Sequence, residues 1–325
     1  MVETIQGCEV EWAMNNNKPG PSYLPEVVVT IAMIFYGTSF VATKIALEVY
    51  NPITIITVRK VISAVLLMLF LLLRSGKKAL PRRLDIKPLL LIAFFQPFIY
   101  FICETYGISM VEASLASIMI ATIPVFTPVF ARFFFDEGLN RYNYAGLVLS
   151  LVGVSVIVLS SRSGNITDFR PLGLLLMLGA VIAAVGYSIV VRKTSPSLST
   201  LSITTWQNCF GALYLLPLFF ALEFKTAAAQ PLALLPVVSI IYLAVFPSSI
   251  AFLFMNHGIK TIGPTRTMVF TNLVPAVTAL LSFAVLQEAF TVSKVLGMVI
   301  ILSGVILSQK GSAQQPEAEE VMVDR

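Results

Sequence analysis

Apolar residues along this chain gather into long runs, and polar residues are confined mostly to short connections between them. The runs lie near 27–47, 52–73, 87–107, 113–135, 143–161, 171–192, 200–222, 232–257, 264–286 and 292–309. A run of about 20 apolar residues crosses a bilayer core as an α-helix. The pattern therefore predicts an all-α integral membrane protein with about ten transmembrane helices and no room for a separate soluble domain. Residues 1–26 form an N-terminal tail, 27–161 a first group of five spans and 171–309 a second group. Residues 310–325 read as a solvated, disordered tail.

Composition agrees with this solvent. Of 325 residues, 57% are hydrophobic and only 12% are charged. No soluble domain of this length buries so much apolar surface. The first 26 residues are polar with scattered acids and lack a basic start, a short apolar core and a cleavage site. No removable signal peptide is predicted. The three cysteines, Cys8, Cys103 and Cys209, have no spacing pattern, so neither a disulfide framework nor a metal site is predicted, and no cofactor is implied. The single His257 reads as a hydrogen-bonded structural residue.

The placement of charge matters more here than its total of +5. Arg74, Lys77, Lys78, Arg82, Arg83 and Lys87 crowd the connection after the second run. Short basic loops stay cytoplasmic, so an even number of spans puts both termini in the cytoplasm. The cluster reads as a topological signal, not as a nucleic-acid contact. The expected location is a plasma membrane of the bacterial inner-membrane type.

The stretch "TIPVFTPVFARFFFDEG" (122–138) has a partner in "TNLVPAVTALLSFAVLQEAF" (271–290). Pro124 answers Pro275, Thr127 answers Thr278 and Glu137 answers Glu288, at an offset of 288 − 137 = 151. The same offset relates Gly107 to Gly258, Gly146 to Gly297 and Gly153 to Gly304. Earlier in each half, 193 − 44 = 149 relates Gly37, Ser39 and Lys44 to Gly186, Ser188 and Lys193. Each half holds an odd number of spans, so the two halves enter the membrane in opposite orientations. Inverted repeats with matched proline-interrupted helices mark secondary transporters and point to their substrate site. Pro124 and Pro275 are the predicted helix breaks, to be weighed against simple packing kinks. Glu137 and Glu288 are expected to accept hydrogen bonds from the N-terminus of the next helix and to stabilise a tight hairpin, without touching substrate.

Residues 106–159 and 257–307, with the opening "FYGTSFVATKIALEVYNPITIITVRKVISA" that carries Lys44, Pro52 and Arg59, resemble the EamA domain of the drug/metabolite transporter superfamily. Tyr36 stands where that family often has Trp. The resemblance covers about residues 25–309. It implies a carrier of small metabolites, often an exporter of amino acids or related compounds. Spans one, three, four, six, eight and nine would line its central cavity.

Polar groups within the runs supply the site candidates, because each is costly in a membrane. Gln96, Tyr100 and Glu104 fall at i, i+4 and i+8 and share one helix face. Glu104 is a candidate proton carrier or partner for the amine of an amino acid, and its repeat counterpart, 104 + 151 = 255, is Met255. Tyr36 and Ser39 in the first span, Ser117 in the fourth, Tyr187 in the sixth and Asn272 in the ninth complete the substrate-binding candidates. Arg59 and Lys60 are expected to snorkel to the outer surface or contact a helix end. Glycines 146, 153, 297 and 304 fit close helix contacts, within the chain or between the subunits of a homodimer.

The expected function is secondary transport of small metabolites by alternating access, with the lipid bilayer and a small molecule as partners. A polytopic membrane enzyme or receptor is the alternative class. The chain has no H-E-x-x-H, no G-x-S-x-G and no second histidine for a triad. It has no P-loop either, so transport would be driven by a gradient or by exchange.

Overall fold

The computed structural model describes residues 24–75, 83–135, 141–161, 171–194, 198–288 and 292–313. Both tails beyond these limits, and Glu137, fall outside the described residues. Ten helical passages follow the ten apolar runs. They are α1 Leu24–Leu47, α2 Pro52–Ser75, α3 (83–110), α4 (113–135), α5 Arg141–Ser161, α6 Pro171–Thr194, α7 Thr200–Ala229, α8 Leu234–Thr261, α9 (263–286) and α10 Val292–Ala313. Pro52 and Pro171 open α2 and α6, where a missing N–H costs nothing. Ser199 caps α7 by accepting from the Ser202 N–H. Inside the helices, hydroxyls bond back to their own backbone: Ser39 to the Tyr36 carbonyl and Ser188 to Val185. That satisfies a polar group without a partner helix. Large apolar side chains such as Leu73 and Leu234 (78% and 81% exposed) face outward, as a lipid-facing surface requires.

Two repeat-related pairs of helices are irregular near the centre of the fold, and π-helical turns also occur at Phe219–Glu223 in α7 and Ser282–Leu286 in α9. α3 passes through a π-helical turn at Phe94–Ile99, where Gln96 takes an extended backbone (φ −147°, ψ 114°). α8 has its π-helical turn at Phe246–Ala251, opened by Pro247. There the Ser249 hydroxyl takes up the Ala244 carbonyl at 2.8 Å. α4 divides into Ala113–Ile120 and Ile123–Phe135, and α9 tightens into a 3₁₀ turn at Phe270–Asn272. Pro124 stands just inside the second piece of α4, and Pro275 just inside Leu273–Leu281. Ala121 and Phe270 keep right-handed helical dihedrals, so both interruptions are local tightenings, not unwound segments.

Helix packing repeats the duplication. α1 packs on α8 and α9, and α6 on α3 and α4; α2 packs on α8, and α7 on α3. The pairs α2–α7, α4–α9 and α5–α10 are self-related. Exchanging α1–α5 with α6–α10 returns each of these pairs, as a two-fold axis in the membrane plane demands. The glycines follow the rule atom by atom. A Cβ on Gly153 would lie 2.9 Å from the Gly297 carbonyl oxygen, and one on Gly304 would lie 2.7 Å from that of Gly146. These four glycines therefore serve α5–α10 contact within the chain.

Two carboxylates bridge the halves at helix ends. Glu288, at the end of α9, accepts from the Ala113 N–H (2.8 Å), the Ser114 N–H (3.1 Å) and the Ser114 hydroxyl (2.6 Å) at the start of α4. Glu223 in α7 does the same for Ile53 and Thr54 at the start of α2, at 2.7–3.3 Å. Glu288 was expected to cap the helix following it. The α4–α9 contact brings a different helix N-terminus within reach, and that end has no side-chain cap from its own N-cap residue Glu112.

Candidate functional site

A cavity of about 560 Å³, including the part continuous with solvent, lies among α1, α2, α3, α4, α6, α8 and α9. Its walls come in pairs related by the repeat. Phe101 faces with Phe252, Glu104 with Met255, Ile120 with Thr271 and Ile123 with Val274, each pair separated by 151 residues. The cavity therefore sits on the axis relating the halves.

The extended residue in α3 brings Gln96 to this wall with Tyr100 and Glu104. Glu104 is 5% exposed and accepts from the Tyr100 hydroxyl at 2.8 Å. Tyr36 and Ser39 also line the cavity. The Tyr36 hydroxyl oxygen is buried and has no hydrogen-bond partner, whereas Ser39 is satisfied within its own helix. Five of the eight predicted contact residues therefore meet here.

The other three stand elsewhere. Ser117 is fully buried and donates to the Ser114 carbonyl, so its hydroxyl is spent locally. Tyr187 belongs to a buried network between α6, α7 and α8: its hydroxyl contacts the Gln207 and Asn256 side-chain oxygens, and Asn256 Nδ2 donates to Thr204 Oγ1 at 2.9 Å. Its ring packs edge-on against Phe252, 6.2 Å between centroids, so it supports the wall from behind. Asn272 follows the lining residue Thr271, and its Oδ1 is buried without a partner. His257 is half-buried, and its imidazole has no hydrogen-bond partner among the described residues, contrary to the bonded role expected of it.

Arg59 and Lys60 do not snorkel. They are 1% and 0% exposed. Arg59 lies 59 − 52 = 7 residues into α2, roughly 10 Å along its axis. Its Nε donates to Ser248 Oγ at 3.0 Å and its guanidinium carbon lies 4.3 Å from the Phe101 centroid. Lys60 Nζ donates to Asn208 Oδ1 at 3.2 Å and lies 4.2 Å from the Phe101 centroid and 4.7 Å from that of Phe252. Ring faces and neutral oxygens thus hold the two cations inward, and Arg59 adds α2 to the six spans expected to form the wall. Their depth was the available signal, since seven residues from a helix start is a long reach to an interface. Among the described residues no cluster of His, Cys, Asp and Glu has the makings of a metal site.

Comparison with known proteins agrees with this architecture. The model of the EamA-like transporter family matches residues 24–159 and 171–309. The chain is similar to YetK of Bacillus subtilis, named an uncharacterized transporter, with 28% identity over 90% of both chains. It is also similar to an uncharacterized transporter of Archaeoglobus fulgidus, with 22% identity over 86% of this chain and 97% of that one. A WAT1-related chloroplast protein of Arabidopsis thaliana shares 23% identity over 88% of this chain and 69% of that one. A solved crystal structure shares the fold at a TM-score of 0.64 and 16% identity, over 90% of this chain and 99% of that one. Ten helices in two inverted halves, a cavity on their axis and the family match across both halves lead to one conclusion: the chain is a multi-pass membrane protein that belongs to the EamA-like transporter family.

Proposed function

We propose that this protein is a secondary carrier that exports amino acids or related small metabolites across a plasma membrane, with both termini cytoplasmic. Substrate occupies the central cavity, and the two inverted halves open it alternately to each side. The observation that carries the reading is the pairing of wall residues across the repeat, Phe101 with Phe252 and Ile120 with Thr271. A site on a two-fold axis in the membrane plane is equally placed for two mirror-related exits. Glu104 supports a role in coupling or in amine recognition, because it is a carboxylate on an otherwise largely apolar wall with a single hydroxyl donor, Tyr100.

Purified protein in liposomes, loaded with an amino-acid panel and tested with and without a pH gradient, checks the reading. The expected result is saturable movement of at least one amino acid. In Glu104→Gln, exchange should survive while any response to the pH gradient is lost if Glu104 carries protons. If it binds an amine instead, cationic and zwitterionic substrates should weaken and neutral ones be spared. Absence of movement for every compound by wild-type protein that binds them refutes the carrier reading.

A further inference from the structure

We propose that Arg59 is the receptor for an oxyanion, a carboxylate or phosphate group, on the transported molecule, so that an anionic group is the main requirement for a substrate. The inference rests on reading the cavity as a substrate site and names the chemistry that site selects.

The first observation is what Arg59 uses and what it leaves. One donor, Nε, goes to the Ser248 hydroxyl, and one face of the guanidinium meets Phe101. Among the described residues the terminal nitrogens have no protein partner, and the residue lines the cavity. A guanidinium held by one edge and one face presents its remaining fork in a fixed orientation. That fork matches the two oxygens of a carboxylate or phosphate.

The second observation is the charge inventory. Arg59 and Lys60 are both almost fully buried, and among the described residues Glu104 is the one carboxylate lining the cavity. Lys60 is bound by a neutral amide oxygen and two rings. Among the described residues the neighbourhood therefore holds two basic side chains, one of them the guanidinium of Arg59, against a single acid. Buried unbalanced charge is costly, and a guest with an oxyanion offsets it where a neutral or cationic guest would not.

The third is the Tyr36 hydroxyl, a buried donor on the same wall without a protein partner among the described residues. A purely structural Arg59 would need none of this open donor capacity. Ser248 and Phe101 alone would hold it in place.

The test uses full-length protein, with thermal stabilisation in detergent reading binding and counterflow in liposomes reading movement. The probes are the proteinogenic L-amino acids and the amides of those that bind, benzoate with benzamide, phenyl phosphate, inorganic phosphate and chloride. The expected result is binding by a carboxylate or phosphate probe at least tenfold tighter than by its neutral partner. Phenyl phosphate against benzoate tells which oxyanion is preferred, and inorganic phosphate tells whether the group suffices without an organic body. Arg59→Met should erase the preference. Arg59→Lys, which keeps charge without the fork, should retain it with affinity about tenfold weaker, and it guards against a Met variant that does not fold. Neutral probes binding as well as their oxyanion partners, a Met variant that discriminates like wild type, or wild-type protein that binds no oxyanion probe would each overturn the inference. Oxyanion binding without movement would instead sink the carrier reading and leave Arg59 standing. Movement without oxyanion preference would do the reverse.

Discussion

Glu288→Ala removes the acceptor for three donors at the start of α4: two backbone N–H groups at 2.8 and 3.1 Å and the Ser114 hydroxyl at 2.6 Å. The N-cap residue Glu112 gives this helix no side-chain cap, so Glu288 performs the capping from another helix. Losing a cap costs about 1 kcal/mol, and losing a carboxylate beside the positive helix end costs up to about 1 more at a partly buried site. Glu288 is itself only partly buried, so water entering its place recovers part of the loss. The net expectation is about 1–2 kcal/mol of lost stability for Glu288→Ala, and about half that for Glu288→Gln, which keeps one acceptor oxygen. Unfolding of purified protein in detergent measures both. A double-mutant cycle with Ser114→Ala isolates the shortest bond and should give a coupling of about 1 kcal/mol. Stability of Glu288→Ala within about 0.5 kcal/mol of wild type, or no coupling to Ser114, would refute the reasoning. The functional consequence follows from position. α4 and α9 pack together and both line the cavity, through Ile120 and Thr271, and the clamp ties the start of α4 to the end of α9. Parting them is one way to open the cavity, so the clamp must break in that step.

Three further outcomes are expected. Gly153→Ala and Gly304→Ala should each destabilise by about 1–3 kcal/mol, because a Cβ would lie 2.6 Å from Ile301 Cγ1 or 2.5 Å from Ser150 Oγ. Near-equal losses in unfolding assays test the two-fold axis, and a neutral effect at either site contradicts it. Tyr187→Phe should cost about 1–3 kcal/mol by leaving the buried Asn256 Oδ1 short of a donor, while Gln207 Oε1 keeps the Asn256 Nδ2 donor. Its substrate preference in liposomes should match wild type, since Tyr187 stands behind the wall; a changed preference would place it in the site. Reporter fusions at residues 80 and 165 should give opposite sidedness with residue 80 cytoplasmic, and an external residue 80 would invert the topology.

Most of the fold was legible because the bilayer sets helix length. Runs of about 20 apolar residues announce themselves without any help from periodicity, and the observed ends of α1, α2, α4 and α6 fall within three residues of the runs. The matched prolines and glycines were legible because both copies keep them. What could not be read was direction across long sequence separations. Arg59 is turned inward by Ser248, 189 residues away, and Glu288 caps a helix 175 residues away. Hydropathy reports how much charge a span carries, not which neighbour receives it. The π-helical turns of α3 and α8 were missed for a related reason. Pro97 and Pro247 are visible in sequence, but a proline alone does not reveal how far the ladder slips. Ser117 and Tyr187 were polar for reasons of local satisfaction and buried networks, which the sequence shows in the same letters as substrate contacts.

The duplication explains the mechanics of the cavity but not its chemistry, and the two separate cleanly along the wall. Where repeat-related residues are alike, as with Phe101 and Phe252, they build a surface that either orientation of the halves can reuse. Where they differ in charge at the cavity wall, the charged member, Arg59 or Glu104, comes from the first half. Glu104 stands opposite Met255, and aligning the starts of α2 and α7 (200 − 52 = 148) puts Arg59 opposite Gln207 and Lys60 opposite Asn208. Moving between mirror-related states requires similar backbones in the two halves, not similar side chains at the centre. Each substitution that broke the pairing could therefore change recognition without cost to the motion. Gln207 and Asn208 show the complementary half of that division: both are fully buried, Asn208 receives the Lys60 ammonium, and Gln207 joins the Tyr187 network behind the wall. The second repeat thus helps to hold the first repeat's two buried basic side chains, through Ser248 and Asn208, and of these Arg59 is the one that reaches the cavity wall.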